Sequence, residues 1–124
     1  MIIEKELSDK IIGCAIKVHK ELGPGFLEKV YERSFELELK FNGIKCETQV
    51  PIVIQYRNEI VGEYFADMIV EDKVIIEVKS CSKIVPIHEA QLIHYLAATQ
   101  KRIGYVINFG GVVLEFVRKL NKLR

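Results

Sequence analysis

Tyr64-Phe65-Ala66-Asp67-Met68-Ile69-Val70-Glu71-Asp72-Lys73-Val74-Ile75-Ile76-Glu77-Val78-Lys79 holds two apolar runs that read as strands, separated by a charged triplet and interrupted by Asp67, Glu77 and Lys79. Strands this apolar are covered on both faces, and an ionised group among them loses hydration worth several kcal/mol unless something pairs with it. Glu77 and Lys79 are two residues apart, so they share a face roughly 6.5–7 Å from one another along the strand. If Glu71-Asp72-Lys73 forms a three-residue loop, Val70 faces Val74 and Asp67 falls opposite Glu77, so all three charges converge. A two-residue loop would send Asp67 to the other face. Glu71-Asp72 lacks the glycine or asparagine that a type I′ turn prefers, which favours the longer loop.

Two carboxylates side by side repel unless they share a cation. Hard oxygen ligands with open positions suit Mg2+ or Mn2+, and Lys79 would then stand near the reacting centre as a positive group rather than a ligand. The same charges could instead form a buried ion-pair network, although isolated buried pairs are poor stabilisers.

Working outward, 124 residues, 49% of them hydrophobic, match one domain with one real core, spanning residues 1–124. A formal net charge of +1 excludes a broadly basic surface, so nucleic-acid contact has to come from local patches. Cys14, Cys46 and Cys81 are widely spaced and form no CxxC pair, which points to a reducing interior rather than a disulfide framework or zinc site. Met1-Ile2-Ile3 runs at once into Glu4-Lys5-Glu6, and no apolar run reaches membrane-spanning length. The expectation is a cytoplasmic protein with no membrane partner.

Ser8 is expected to N-cap a helix with apolar positions Ile11, Ile12, Ala15, Ile16, His19 and Leu22, ended by Gly23-Pro24. A second helix is expected from about Gly25, through Leu27, Val30, Tyr31, Phe35, Leu37 and Leu39, to Asn42-Gly43. Strands follow at Ile44–Tyr56, Ile60–Val70 and Val74–Ser80, with a turn at Arg57-Asn58-Glu59. Pro86 opens a helix over His88–Thr99. Ile103–Phe109 and Val112–Val117 complete the sheet through a Gly110-Gly111 hairpin. The order α, α, β, β, β, α, β, β predicts an α/β fold with a mixed β-sheet flanked by helices, the first two covering one side.

Asp67, then Glu77-Val78-Lys79 on the next strand, then a helix with Gln91, resembles the core of the PD-(D/E)XK nuclease superfamily. Gln91-Leu92-Ile93-His94-Tyr95 is similar to the QxxxY motif of that superfamily's recombination-nuclease branch, with Gln91 and Tyr95 one turn apart. Gly25-Phe26-Leu27-Glu28-Lys29-Val30-Tyr31 resembles the motif that names the GxxExxY family. Ala66 stands where a proline often precedes the first acidic residue.

The resemblance implies a restriction-endonuclease-like core and a nuclease that hydrolyses DNA, ahead of RNA, by direct attack of a metal-activated water. It makes Asp67, Glu77 and the Val78 carbonyl ligands of Mg2+ or Mn2+, brings Glu28 to the metal directly or through water, and lets Lys79 orient or activate the water. Gln91 would orient substrate or the lysine, and Tyr31 and Tyr95 would line the site. Left to themselves, Glu28 reads as a solvated helix residue, and Gln91 and Tyr95 as a polar network packing their helix. His19 reads as a helix-packing residue, and His88 and His94 as ordinary partly exposed histidines. Lys101, Arg102, Arg118, Lys119, Lys122 and Arg124 are available for phosphates, although a charge run is usually a solvated face. The alternative function is a nuclease-fold nucleic-acid-binding or protein-interaction module with little activity, completed by a homodimer or a partner protein.

Overall fold

The computed structural model describes residues 4–121. Its elements run α1 (Lys5–Leu22), α2 (Glu28–Phe41), β1 (Cys46–Tyr56), β2 (Glu59–Val70), β3 (Val74–Lys79), α3 (Pro86–Thr99), β4 (Ile103–Asn108) and β5 (Glu115–Leu120). The strands form one mixed sheet in the order β1-β2-β3-β4-β5. Only β3 and β4 are parallel, and α3 is the crossover between them. This is the α/β arrangement with a mixed sheet expected from the element order, and it matches the restriction-endonuclease-like core that the resemblance implies.

Helices cover the two faces of the sheet. Ile11, Ala15 and Val18 of α1 and Tyr31, Phe35 and Leu39 of α2 pack with Val74, Ile76 and Val78 of β3. Leu92, Tyr95 and Leu96 of α3 pack on Ile75, Ile69 and Val106 from the other side. The alternation along β3 therefore assigns Glu77, like Ile75, to the α3 side. Gly104 lets α3 approach, since a Cβ there would come within 2.7 Å of Leu92 and 3.0 Å of the Ile75 carbonyl.

β2 changes the core it serves at one residue. Met68 and Val70 belong to the two-helix core, yet Ala66, which strict alternation would put with them, packs in the α3 core with Ile52. Asp67 sits between. Opposite it the β1–β2 register passes from Thr48↔Met68 to Val50↔Ala66, leaving Gln49 in the left-handed region at φ 51°. Beyond this point β2 pairs with β1 alone, because its pairing with β3 stops at Met68↔Ile76. The remainder is a two-stranded arm ending in the left-handed turn Arg57-Asn58.

Several boundaries differ from expectation. Ser8 is not a cap: α1 starts a turn earlier, with the Ser8 amide donating to the Glu4 carbonyl and Lys5 paired to Asp9 at 2.6 Å. The second helix begins at Glu28 rather than Gly25, whose φ of 117° no helix accommodates. The final hairpin is displaced. Gly110 lies so close to the backbone of Ser80 and Cys81 that no Cβ would fit, so Phe109 to Leu114 form the connection and β5 starts at Glu115. The basic tail continues that strand to Leu120; Lys122 and Arg124 fall outside the described residues.

Candidate active site

The register places the charged residues where a three-residue loop would. Val70 pairs with Val74, Ile69 with Ile75 and Met68 with Ile76, so the next step sets Asp67 against Glu77. There the ladder opens and side chains replace its backbone bonds. The Asp67 amide donates to Glu77 Oε2 at 2.9 Å, and the Val78 amide donates to Asp67 Oδ2 at 2.8 Å. Each carboxylate thus caps the opposing strand with one oxygen and keeps its other oxygen for a further partner.

The loop achieves this register by a route the sequence argued against. Glu71 and Asp72 both adopt left-handed backbone, at φ 52° and 57°, and the Lys73 amide closes back to the Val70 carbonyl at 2.9 Å.

Glu77 is 4% exposed. Burial, and then the neighbouring Asp67 charge, push its carboxyl up to about 8, against the opposing pull of the Asp67 amide and of Lys79. Lys79 is half-buried at the end of β3. Gln91 donates to the Tyr95 hydroxyl at 3.0 Å on the α3 side. Burial raises the Tyr95 hydroxyl above its ordinary value, with Glu77 and Asp67 adding to the rise, so the phenol lies within their field. Asp67 and Glu77 meet across the strands, Lys79 follows Glu77 on β3, and Tyr95, bonded to Gln91, packs with Ala66 and Ile75 beside them.

Glu28 and Lys79 both act electrostatically on Cys81, whereas Tyr31 is packed in the two-helix core. Glu28 is exposed in the first turn of α2. Tyr31 is 0% exposed, so it cannot line a substrate surface. Its hydroxyl donates to the Gly23 carbonyl and accepts from the Phe26 amide, while its ring stacks on Phe109 at 5.0 Å. The Phe26 carbonyl in turn accepts from Ser80 Oγ at 2.7 Å, tying the α1–α2 turn to the end of β3. His19 behaves as a packing residue, bonded through Nε2 to the Gly111 carbonyl at 2.8 Å.

Glu32 is the residue sequence reasoning missed. One turn beyond Glu28, it is 9% exposed and faces Gln49, whose amide donates to both its oxygens at 3.1 and 3.2 Å and reaches Asp67 Oδ1 at 3.5 Å. Burial raises the Glu32 carboxyl, with Asp67 adding to the rise against the Gln49 bond and Lys29. The available signal was an acidic residue at i+4 from Glu28, next to Tyr31. Asn108, also missed, is fully buried; it binds both backbone groups of Cys81 and Glu115, fixing the segment that leaves Lys79.

This donor set fits a hard divalent cation. Glu77 retains an oxygen, Asp67 Oδ1 is met by the Gln49 amide at 3.5 Å, and Glu32 adds a third carboxyl group within electrostatic reach of Asp67. Among the described residues no group of three or more His, Cys, Asp or Glu side chains is placed to hold a metal ion, so water would have to complete the shell of a cation shared by Asp67 and Glu77.

Residues 5–120 match the family model of the PD-(D/E)XK nuclease superfamily. The crystal structure of SSO0001 is similar in fold, with a TM-score of 0.61 at 20% identity, over 77% of this chain and 50% of that one. The chain thus spans half the length of that solved structure. Among curated proteins none matches significantly.

Proposed function

This chain belongs to the PD-(D/E)XK nuclease superfamily, and from that premise we propose that it is a nuclease hydrolysing phosphodiester bonds of DNA, ahead of RNA, with Mg2+ or Mn2+ as cofactor. The observation that carries the reading is Glu77, a carboxylate almost wholly buried beside Asp67 at the point where two strands part. Such an arrangement costs stability unless it serves a cation. The Gly25–Tyr31 motif supports assignment to the GxxExxY group within the superfamily.

In this mechanism Asp67, Glu77 and the Val78 carbonyl would hold the cation, and Glu32 would take the supporting role that the motif implied for Glu28. When bound, a divalent cation lowers the pKa of water and offsets charge on a phosphoryl oxygen. Lys79 orients the attacking water and stabilises negative charge developing at phosphorus. Gln91 donates to Tyr95 through its amide nitrogen, which leaves its side-chain oxygen to position Lys79 or substrate. Water attacks directly, so no covalent enzyme intermediate forms.

Specific protein–DNA interfaces commonly bury about 1,000 Å² or more of protein. A chain of 124 residues and net charge +1 gains such a surface from a second copy or a partner protein. Free thiols at Cys14, Cys46 and Cys81 suit the cytoplasm. Among the described residues no helix is long and apolar enough to cross a membrane.

The test is calorimetric titration of Mn2+ into the wild type and the Asp67→Ala/Glu77→Ala variant, beside cleavage of single-stranded, duplex and branched DNA. Binding and cleavage present in the wild type and lost in the variant support the proposal. Binding without cleavage favours a partner-dependent enzyme or a binding module, and absence of binding returns the charges to an ion-pair network. Light scattering on the eluting protein tests the second copy.

A further inference from the structure

A groove of about 1100 Å³ runs between the β1–β2 arm and α3. Ile54, Gln55 and Tyr64 form its arm side, and Gln91, Tyr95 and Ala98 its helix side. Among the described residues no lysine, arginine, aspartate or glutamate lines it. Tyr95 connects it to the carboxylates by packing, being part of the wall while it lies in one cluster with Ala66, the residue before Asp67, and with Ile75, which shares its face of β3 with Glu77. Tyr64 is 49% exposed, with its ring 6.1 Å from that of Tyr95. It lies over Gly62, where a Cβ would come within 3.2 Å of the ring, so the glycine gives the ring its bed.

We propose that this groove receives unpaired bases of a single DNA strand, stacked on Tyr64, while the backbone of that strand crosses Asp67, Glu77 and Lys79. The inference rests on the nuclease reading and adds the form of the substrate. A wall without cationic side chains offers nothing to a phosphate chain, whereas aromatic and aliphatic faces with amide and imidazole edges match the faces and edges of bases. Continuity decides the occupant: Ile52 and Tyr95 of the groove wall pack with Ala66, one residue from Asp67, so a strand lying in the groove runs on toward the residues assigned to the phosphodiester. A base inside a duplex is already stacked and paired, and reaches a lateral groove only by leaving the helix.

The test measures fluorescence anisotropy of a labelled mixed-sequence strand, alone and annealed to its complement, with Ca2+ present to hold turnover off. The single strand is expected to bind about tenfold more tightly than the duplex. Tyr64→Ala should weaken single-strand binding about tenfold, in line with loss of one stacking platform, while Tyr64→Phe retains it. Ala98→Leu, at an exposed position of α3, should narrow the groove and weaken the single strand without weakening the duplex.

Duplex binding equal to or tighter than single-strand binding overturns the proposal, as does single-strand affinity unchanged in both Tyr64→Ala and Ala98→Leu. Loss of binding on self-association through the groove overturns it in favour of a second copy. Cleavage of the same DNA separates the two readings. Strand-selective binding without any cleavage removes the nuclease assignment and keeps the groove; preferential duplex cleavage does the reverse.

Discussion

Asp67 and Glu77 are bonded crosswise, each carboxylate accepting from a backbone amide of the other's strand. In the proposed function, chemistry and fold depend on the same carboxylates, and substitutions have to be chosen to separate them. Asp67→Asn keeps an acceptor for the Val78 amide and should melt near the wild type, while cleavage falls on the order of 10²-fold or more. Asp67→Ala leaves that amide unpaired and should also lose about 1–3 kcal/mol of stability. Thermal melts beside cleavage rates check both outcomes.

Lys79→Ala should reduce cleavage by a factor on the order of 10² or more, the usual consequence of losing one fixed charge at a reacting centre. Mn2+ binding should survive, since Lys79 is not a ligand. Calorimetry showing lost metal affinity in this variant would contradict the assigned role.

The raised Glu77 carboxyl sets a pH dependence with an unusual sign. Its folded pKa, about 8, lies above the ordinary carboxylate value, so between the two the folded protein holds a proton that the unfolded chain has released. Stability of the metal-free protein should fall as pH rises through that window and level off on either side. Glu77→Gln should flatten the slope and raise the melting temperature at the alkaline end. Denaturant midpoints measured in EDTA across the window decide it.

Gln49 separates backbone strain from side-chain function. Its left-handed backbone costs a non-glycine residue about 1 kcal/mol or more, and its amide spans Glu32 and Asp67. Gln49→Gly should relieve the strain and keep or raise the melting temperature, yet weaken Mn2+ binding because the two carboxylates lose their common donor. A variant that binds Mn2+ as tightly as the wild type would leave Gln49 a purely structural residue.

Tyr31→Phe should cost about 1–3 kcal/mol, because the Phe26 amide and Gly23 carbonyl both lose their partner. KM on DNA should not change, since the hydroxyl lies in the core. A raised KM in a variant of normal stability would bring Tyr31 back to the substrate surface.

How far the sequence could be read follows from what each residue answers to. Asp67 and Glu77 were legible because strand periodicity and loop length fix register, and register brings charges together. The reason for that register was not legible: Glu71 and Asp72 accept left-handed backbone because the paired strands on either side demand it. On α2 the helical period pointed to Leu27, Val30 and Leu37, all of which are exposed, while Glu32 is buried. Apolar periodicity assumes that a buried position is apolar, and a carboxylate bonded to Gln49 under the sheet is where that assumption breaks. Gly25 and Tyr31 were visible as a pattern, but only the fold reveals that they shape the α1–α2 turn. The displaced start of β5 depended on Gly110 meeting the Cys81 backbone, a contact between residues far apart in sequence.

The end of β2–β3 pairing at Met68 has a mechanical meaning. Glu77 and Lys79 ride on β3, which is held by β4 along its whole length, whereas Asp67 sits at the root of a hairpin that beyond Ala66 pairs only within itself. A load on the outer part of that hairpin would act as on a lever whose fulcrum is Met68. It would change the gap between the two carboxylates while leaving β3 where it is, so whatever grips the outer hairpin would gain a handle on the proposed reaction centre without touching it.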